Sequence, residues 1–312
     1  MRFFPIFASA SKFLPAAPAS AALPRQVPRA LRAAALVALC SRLAAAEEPD
    51  FIVEPSTVVA GRTLSVLCRS GRRLENASVV WNGRRAAFFR LNRRDWRALV
   101  GVNSLEPAGE KVLLVEGAWA GGGPFLADVA FTVVEGAYPV SRVKLAPDRD
   151  ALYTSGAVDR DGDVLAALTR QAPSLRKRWN GPFVWPSIGV LSSPFGARRA
   201  YGDRPAQTPH SGMDIAAPAG TPVTAPQGGL VLFAGWLESF GNAALVDHGQ
   251  GVYGYFLHMQ SIQVRAGQQV KRGRPIGRVG KEGVATGPHV HWTLAVSGER
   301  VDPQEWVERN VR

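Results

Sequence analysis

The sequence predicts a mostly β protein with two β domains and a connector between them. After residue 50, short apolar runs of strand length alternate with turn residues, and the chain contains 32 glycines and 23 prolines. No run in the last domain shows the 3.6-residue apolar period of a long helix. The apolar fraction of 46% and the charged fraction of 20% are those of an ordinary globular protein, which excludes wholesale disorder and a polytopic membrane protein.

Residues 1–46 differ from the rest of the chain and are predicted to be a secretory signal peptide. Basic residues occur there without an acidic one, an apolar run covers 33–40, and the alanines 44–46 precede an acidic stretch. An apolar run this short cannot cross a bilayer, for which a helix needs about 20 residues. We therefore expect an exported protein of the periplasm or cell envelope.

The cysteine count and the net charge limit the partners of the mature protein. Cleavage of the signal peptide would leave Cys68 as the single cysteine, so we expect no intramolecular disulfide. The formal net charge of +12 indicates an anionic partner, although solvated surface charge explains it equally well. The sequence contains no basic helix and no array of stacking aromatic residues, so we expect no nucleic-acid partner. An anionic polymer of the cell envelope fits better, and we expect a monomer.

Residues 47–136 are predicted to form an accessory β-sandwich of immunoglobulin-like type. The Asn82-Gly83 dipeptide is a strong signal for a hairpin turn after a strand that ends at Trp81. Short strands separated by turn residues at this spacing are typical of a small sandwich. The predicted strands are 51–53, 64–68, 78–81, 86–91, 111–116 and 127–134. Since the segment contains no catalytic arrangement of residues, we expect a role in spacing, docking or covering the next domain.

Residues 137–188 are predicted to be a linker with a short helix. Asp159–Asp163 resembles the start of a calcium loop, but its glycine stands at the fourth position instead of the sixth and no glutamate closes the loop. A helix over 164–170, with Asp163 or a neighbouring residue as its N-cap, is the better interpretation.

Residues 189–312 are predicted to form a compact, strongly coiled antiparallel β-sheet without a long helix. Glycine or proline occurs every few residues, and two short turn-strand units follow each other in 264–273. The predicted strands are 221–224, 229–234, 243–247, 252–258, 275–279 and 289–296. All five histidines of the chain lie here, between His210 and His291, which predicts that this part carries the chemistry.

His289 and His291 are two residues apart in a predicted strand and therefore share one of its faces. A rise of about 3.3 Å per residue places their Cα atoms roughly 6–7 Å apart, so both rings can reach one cleft. Val290 and Trp292 then point to the opposite, buried face. The spacing is a modest signal for a metal site.

His210 and Asp214 are predicted to lie on a loop that enters a short strand. Their spacing of four would place them on one face of a helix, but Pro209 and Gly212 disfavour a helix here. With His291 they supply two imidazoles and one carboxylate, which leaves one tetrahedral position for water, as in catalytic zinc sites. Zinc lowers the pKa of bound water to about 7 and polarises a carbonyl group.

The remaining histidines are assigned by elimination. The sequence contains no HExxH motif whose glutamate could act as base, so His258 and His289 are the candidates for proton transfer and oxyanion stabilisation. His248 stands at a predicted strand-to-turn junction, and we expect it to be structural.

Several motifs of the last domain, in a characteristic order, resemble a known family. They are 193–196 (SPFG), 210–223 (HSGMDIAAPAGTPV), 241–242 (GN), 247–249 (DHG), His258, 264–273 (VxxGxxVxxG) and 286–292 (TGPHxHW). The stretch 190–303 is similar to the lysostaphin/LytM-type zinc metallopeptidases, which cleave peptide cross-links of peptidoglycan. The resemblance implies that His210, Asp214 and His291 bind Zn²⁺ and that His258 and His289 are the family's non-ligand active-site histidines.

One position departs from this family. Its members usually have a tyrosine two residues before the position of His258, whereas this chain has Phe256, with Tyr255 beside it. Any substrate contact that the tyrosine hydroxyl makes in the family is therefore open to question here.

The resemblance implies an exported zinc metalloendopeptidase that hydrolyses peptide cross-links or stem peptides of peptidoglycan. Relatives of this fold that have lost their ligands are non-catalytic activators of cell-wall amidases, and this is the alternative function. Every metal and proton-transfer position is filled here, which favours the enzyme. A biotinyl- or lipoyl-type carrier hairpin is excluded, because neither Lys271 nor Lys281 has the neighbouring methionine typical of an acceptor lysine.

Overall fold

The computed structural model describes residues 50–171, 173–201, 203–204 and 208–311, and the predicted signal peptide lies outside these ranges. The described residues cluster as one compact unit. Among the described residues, no helix is both long enough and apolar enough to cross a membrane.

The described strands and helices follow the chain in three groups. The first group is β1 (Asp50–Glu54), β2 (Thr57–Val59), β3 (Thr63–Arg69), β4 (Leu74–Trp81), β5 (Arg84–Ala87), β6 (Phe89–Arg90), β7 (Asp95–Gly101), β8 (Gly109–Trp119) and β9 (Pro124–Val134). The second is β10 (Val140–Val143), α1 (Pro147–Thr154) and α2 (Ala157–Thr169). The third is β11 (Val190–Ser193), β12 (Arg198–Tyr201), β13 (Thr208–Pro209), β14 (Met213–Ala216), β15 (Pro222–Thr224), β16 (Gly229–Leu237), β17 (Gly241–Gly249), β18 (Val252–Ile262), β19 (Gln269–Val270), β20 (Pro275–Val279), β21 (His289–Val296), β22 (Glu299–Val301) and α3 (Pro303–Glu308).

The first nine strands form two sheets that share one hydrophobic core. Their orders are β1-β3-β7-β6 and β2-β9-β8-β4-β5. Leu64 and Val66 from one sheet and Val79 and Leu113 from the other belong to the same buried cluster. The predicted turn at Asn82-Gly83 is present between β4 and β5, and both of its residues have positive φ, 46° and 73°.

Several details of this region differ from the prediction. The predicted strand 86–91 is divided between β5 in one sheet and β6 in the other, because the chain changes sheets near Phe88. Strands β2 and β7 were not predicted. In β7, charged residues obscure the apolar pattern. One of them, Arg97, is only 1% exposed and donates from Nη2 to Gln250 Oε1 at 2.9 Å.

The described part of the connector contains two helices, and the predicted helix start is wrong. Helix α2 begins at Ala157 after Gly156, which has φ +78°, so Asp163 lies inside the helix and does not cap it. A glycine and three aspartates weaken local helix propensity, so the true start is hard to read from the sequence. Asp161 accepts hydrogen bonds at 2.6 Å from both the N–H and the hydroxyl of Ser239, which anchors the helix from outside.

The last part of the chain contains a curled sheet of ten described strands in which every pairing is antiparallel. Its central path is β11-β14-β21-β18-β17-β16-β19. Strands β20 and β21 have the predicted bounds, β16, β17 and β18 extend beyond theirs, and β15 begins one residue later than predicted. Val290 and Trp292 lie in the core of this sheet, as the alternation of β21 predicts.

Strands β10, β12 and β13 form a separate three-stranded sheet. Strand β10 from the connector pairs in parallel with β12, and β12 pairs antiparallel with β13. The predicted linker therefore supplies a strand that supports residues just before His210.

Buried polar contacts join the first sheets to the end of the chain. Glu305 accepts a hydrogen bond from the N–H of Thr63 at 2.9 Å, and Trp306 Nε1 donates to Thr63 Oγ1 at 3.0 Å. Arg309 donates to the Thr63 carbonyl at 2.8 Å. Burial raises the pKa of Glu305 to about 7.

Candidate metal centre

Asp214 and His291 are direct cross-strand neighbours in the large sheet. Asp214 lies on β14 and His291 on β21, and the antiparallel register pairs the two residues. Asp214 Oδ1 is 2.8 Å from His291 Nδ1. The sheet itself therefore brings these two side chains together.

His210 reaches the same point from the loop before β14. Its N–H donates to Ala197 O and its carbonyl accepts from Gly196 N–H, both at 2.9 Å, which fixes the loop against the chain before β12. The loop passes so close to β21 that a Cβ on Gly212 would lie 2.4 Å from the carbonyl oxygen of Trp292. Only glycine fits there, which explains one residue of the HSGMD motif.

The three side chains converge with donor atoms at distances that suit a metal ion. His210 Nε2 lies 3.0 Å from His291 Nδ1 and 3.2 Å from Asp214 Oδ1. Their potential ligand atoms all lie within 4.8 Å of one another, and the three residues are buried. Donors at 2.0–2.1 Å from a tetrahedral zinc ion would be about 3.3 Å apart. The donor set and its spacing therefore fit zinc.

Hydrogen bonds outside the cluster orient the two imidazoles. His210 Nδ1 donates to the Pro194 carbonyl at 2.9 Å, so Nε2 of the neutral ring presents its lone pair to the cluster. His291 Nε2 lies 2.8 Å from Thr293 Oγ1, on the ring edge away from Asp214. Partners of this kind fix the ring orientation of metal-binding histidines.

The charge state of the cluster also suits a cation. Burial alone raises the pKa of Asp214, but hydrogen bonds and charge interactions with His210 and His291 outweigh it and hold that pKa well below its usual range. Burial lowers the pKa of His291 to about 4 against the opposing effect of Asp214. At neutral pH the cluster then contains a carboxylate and a neutral His291 imidazole, the protonation states that metals require.

His258 enters the cleft through a β-bulge. Between the pairs Ala244–Phe256 and Asn242–Met259, β18 has one residue more than β17, and His258 has φ +63°. Its ring centroid lies 5.0 Å from that of His289 and 6.0 Å from that of His291. The left-handed backbone of a bulge redirects a side chain, as it does here.

His258 and His289 have the same hydrogen-bond arrangement. His258 Nδ1 donates to the Glu282 carbonyl at 2.7 Å, and His289 Nδ1 donates to the Gly287 carbonyl at 2.8 Å. Burial, and then the charges of the two neighbouring histidines, lower the pKa of His258 well below its usual value. His289 Nε2 lies 3.7 Å from Asp214 Oδ1. In a neutral ring of either residue, Nε2 is a proton acceptor beside the cluster of His210, Asp214 and His291.

His248 is placed apart from these four histidines. Its Nδ1 donates to the Gly228 carbonyl at 2.8 Å and its ring packs edge-on against Phe183. Burial lowers its pKa to about 4. The ring is fully buried in the core, which agrees with the structural role predicted for it.

Phe256, which replaces the usual tyrosine of the family, does not line the cleft. It is fully buried in the core cluster that contains Val290 and Trp292, so its side chain points away from the cleft. Tyr255 lines a cavity that also contacts His258. A hydroxyl at residue 256 would therefore not face this cleft.

Two cavities meet at the histidine cluster. One, of about 310 Å³, is lined by Tyr153 and Val158 of the helical connector together with Tyr255. The other, of about 410 Å³, is lined by Ser141 and Val143 of β10 among others. His258 and Arg199 contact both cavities, so the cluster lies where the two cavities adjoin, and their walls include connector residues.

Arg199 belongs to the site but was not predicted from the sequence. Its Nη2 donates to Asp214 Oδ2 and, at 2.8 Å, to Ser193 Oγ. The position of Arg199 depends on β12 pairing with β10 from the connector, which no local pattern indicates. The one feature of the sequence that could have indicated its role is its closeness to the SPFG motif. Thr293, two residues after His291 on the same strand face, could have been found from the period of β21.

Comparisons with known proteins define the family to which the chain belongs. The family model for peptidase family M23 matches residues 208–303. The crystal structure of a putative peptidase M23 from Pseudomonas aeruginosa is 31% identical, with a TM-score of 0.59, and the match covers 80% of this chain and 94% of that one. The chain belongs to peptidase family M23.

Curated relatives match part of the chain. The peptidoglycan DD-endopeptidase ShyA of Vibrio cholerae is 34% identical over 144 residues, which are 46% of this chain and 31% of ShyA. The murein hydrolase activator EnvC of Escherichia coli is 38% identical over 98 residues, 31% of this chain and 23% of EnvC. The matched part thus spans less than a third of either relative.

Proposed function

We propose that the protein is an exported zinc metalloendopeptidase that hydrolyses peptide bonds in the cross-links or stem peptides of bacterial peptidoglycan. The observation that carries the proposal is the convergence of three buried donor atoms, from His210, Asp214 and His291, beside two further histidines in one cleft. Similarity to ShyA, a peptidoglycan DD-endopeptidase, supports this class of substrate.

The zinc ligands in this proposal are His210 Nε2, Asp214 Oδ1 and His291 Nδ1. Three protein ligands leave one tetrahedral position for water or substrate, as in other catalytic zinc sites. Zinc, when bound, would lower the pKa of water to about 7 and polarise the scissile carbonyl group. The bonds from His210 to Pro194 and from His291 to Thr293 hold both rings in the ligating orientation.

His258 and His289 handle protons in this proposal. Because each Nδ1 is committed to a backbone carbonyl, proton exchange with the substrate occurs at Nε2. The lowered pKa keeps His258 neutral at physiological pH, so it can accept a proton and then donate it to the leaving amine. The protonated ring can also stabilise negative charge on the reacting carbonyl oxygen.

The alternative, a non-catalytic activator of cell-wall amidases, is supported by the similarity to EnvC, a murein hydrolase activator. We favour the enzyme because the chain retains a complete donor set and both additional histidines. An activator requires neither a metal ligand set nor proton acceptors beside it.

We propose that residues 47–136 form an immunoglobulin-like accessory domain, 137–188 a connector and 189–312 the peptidase domain. The sheet orders β1-β3-β7-β6 and β2-β9-β8-β4-β5 support this, because they correspond to the ABED and GFC arrangements of that fold. Export to the periplasm or cell envelope rests on the signal peptide predicted for residues 1–46. Fractionation of cells that produce the full chain tests it.

The enzyme proposal is tested by digestion of purified sacculi with residues 47–312 loaded with zinc. We expect soluble muropeptides, identified by mass spectrometry, and their loss with a zinc chelator or in His291→Ala. Activity that survives both treatments would contradict the zinc mechanism. An inactive protein that binds an amidase and increases its activity would instead support the activator.

A further inference from the structure

We propose that Arg199 is a positioning residue for the metal centre, which presents one carboxylate oxygen of Asp214 to the metal by holding the other. This inference rests on the zinc site proposed above. The contact that carries it joins Arg199 Nη2 to Asp214 Oδ2. Arg199 is not itself a metal ligand, because a guanidinium has no acceptor atom.

The two oxygens of Asp214 have separate partners. Oδ1 faces the cluster, at 2.8 Å from His291 Nδ1 and 3.2 Å from His210 Nε2. Oδ2 faces Arg199. A carboxylate held in this way offers a single oxygen to a metal and cannot rotate to offer both, which preserves a coordination position for water or substrate.

Arg199 also connects Asp214 to the loop that carries His210. It donates from Nη2 to Ser193 Oγ at 2.8 Å, and the same Oγ lies 3.3 Å from His210 Nδ1. Ser193 in turn is paired with Asp214 across β11 and β14. One guanidinium therefore couples the carboxylate ligand and the first histidine ligand through a serine.

The environment makes this contact stronger than a surface ion pair. The side chains of Arg199 and Asp214 are only 17% and 10% exposed. Solvent and salt screen such a pair weakly, and removal of the cation would leave a buried carboxylate without its compensating charge. The carboxylate would then be free to turn, and the preorganisation of the ligand set would be lost.

The connector determines where Arg199 lies. In the short sheet, Arg199 is paired with Ser141 of β10 on one side and with Thr208 of β13 on the other. Arg198, the preceding residue of the same strand, is exposed, since alternate residues of a strand point in opposite directions. Arg198 is therefore a matched control with the same charge and the same strand.

The test compares Arg199→Gln with Arg198→Gln in the protein of residues 47–312. The zinc dissociation constant is measured by competition with a chromophoric chelator, and the visible spectrum of the Co²⁺ form reports the coordination. We expect Arg199→Gln to bind zinc about 10–100-fold more weakly, the usual effect of losing a group that orients a ligand. We also expect an altered Co²⁺ spectrum, whereas Arg198→Gln should match the wild type.

Circular dichroism of the metal-free protein shows whether Arg199→Gln folds. If it does not, a second pair of variants tests the proposal. Arg199→Lys retains the charge but cannot hold Asp214 and Ser193 with a planar guanidinium, so we expect weaker zinc binding than in Arg198→Lys. Equal zinc affinity and identical Co²⁺ spectra in the Arg199 variants and their Arg198 controls would overturn the proposal.

The same measurements separate this inference from the function on which it rests. A wild-type protein that does not bind zinc, or a His291→Ala variant that binds it equally well, would refute the zinc site and with it the role of Arg199. Tight binding by the wild type that is lost in His291→Ala but unchanged in Arg199→Gln would refute the role of Arg199 alone.

Discussion

Leu257, not His258, is the cross-strand partner of His291. In a regular strand His258 would therefore point to the opposite face, into the core with Phe256. The extra residue of the bulge changes this: Phe256 and Met259 both lie in the core cluster, while Leu257 and His258 both line the cleft. The second pair of histidines in the site thus depends on a local irregularity of β18.

Substitution of His258 or His289 by glutamine should reduce catalysis without removal of the metal. Each ring would lose its proton-accepting Nε2, and we expect kcat to fall about 10²–10⁴-fold. Neither residue belongs to the donor set of His210, Asp214 and His291, so the zinc content should remain that of the wild type. Metal analysis beside the sacculus assay checks this. A variant that loses zinc in parallel with activity would show that the residue is a ligand.

Removal of zinc should lower the thermal stability of the protein. A ligand that binds only the folded state at a concentration 100 times its Kd stabilises that state by about 2.7 kcal/mol. Calorimetry with zinc and with a chelator should therefore give a higher Tm for the loaded protein. His291→Ala, which lacks one proposed ligand, should show little or no difference between the two conditions.

His248→Ala should affect stability and not zinc binding. The substitution would remove a fully buried ring that packs against Phe183 and bonds to the Gly228 carbonyl. Loss of a buried ring and of one hydrogen bond should cost on the order of 2–4 kcal/mol in the free energy of unfolding. Urea denaturation measures this cost in the metal-free state. A zinc dissociation constant equal to that of the wild type is expected, and a large increase would argue against a purely structural role.

Glu305 should make the protein less stable as pH rises. Burial raises its pKa from 4.5 to about 7 in the folded state, so the folded protein binds this proton more tightly than the unfolded chain does. The resulting stabilisation is fully present below about pH 4.5 and is lost as the pH rises through about 7.

Glu305→Gln should remove this dependence while its amide oxygen still accepts from Thr63. Between pH 5 and pH 8 the wild type should lose up to about 3 kcal/mol more unfolding free energy than Glu305→Gln does. Urea titrations of the metal-free proteins at both pH values measure the difference. Glu308→Gln, on the exposed side of α3, is the control and should follow the wild type. Parallel pH profiles for the wild type and Glu305→Gln would contradict the prediction.

Features that depend on local patterns could be predicted from the sequence alone. Alternation in 289–296 placed His289 and His291 on one face and Val290 and Trp292 in the core, and β21 has the predicted bounds. Glycine and proline divided the chain into strands, and the Asn82-Gly83 turn lies where its dipeptide predicts. The grouping of His210, Asp214 and His291 was also predicted, because motif order and spacing are properties of the chain itself.

Features that depend on contacts between distant segments could not be predicted in this way. The bulge at His258 is set by pairing with β17, whose register no local pattern in 252–258 reveals. Helix α2 is held to the sheet by a bond from Ser239 to Asp161, 78 residues apart in the chain. Arg199 reaches Asp214 because β10 of the connector pairs with β12. In each instance the free energy comes from a non-local contact, which a single stretch of sequence does not encode.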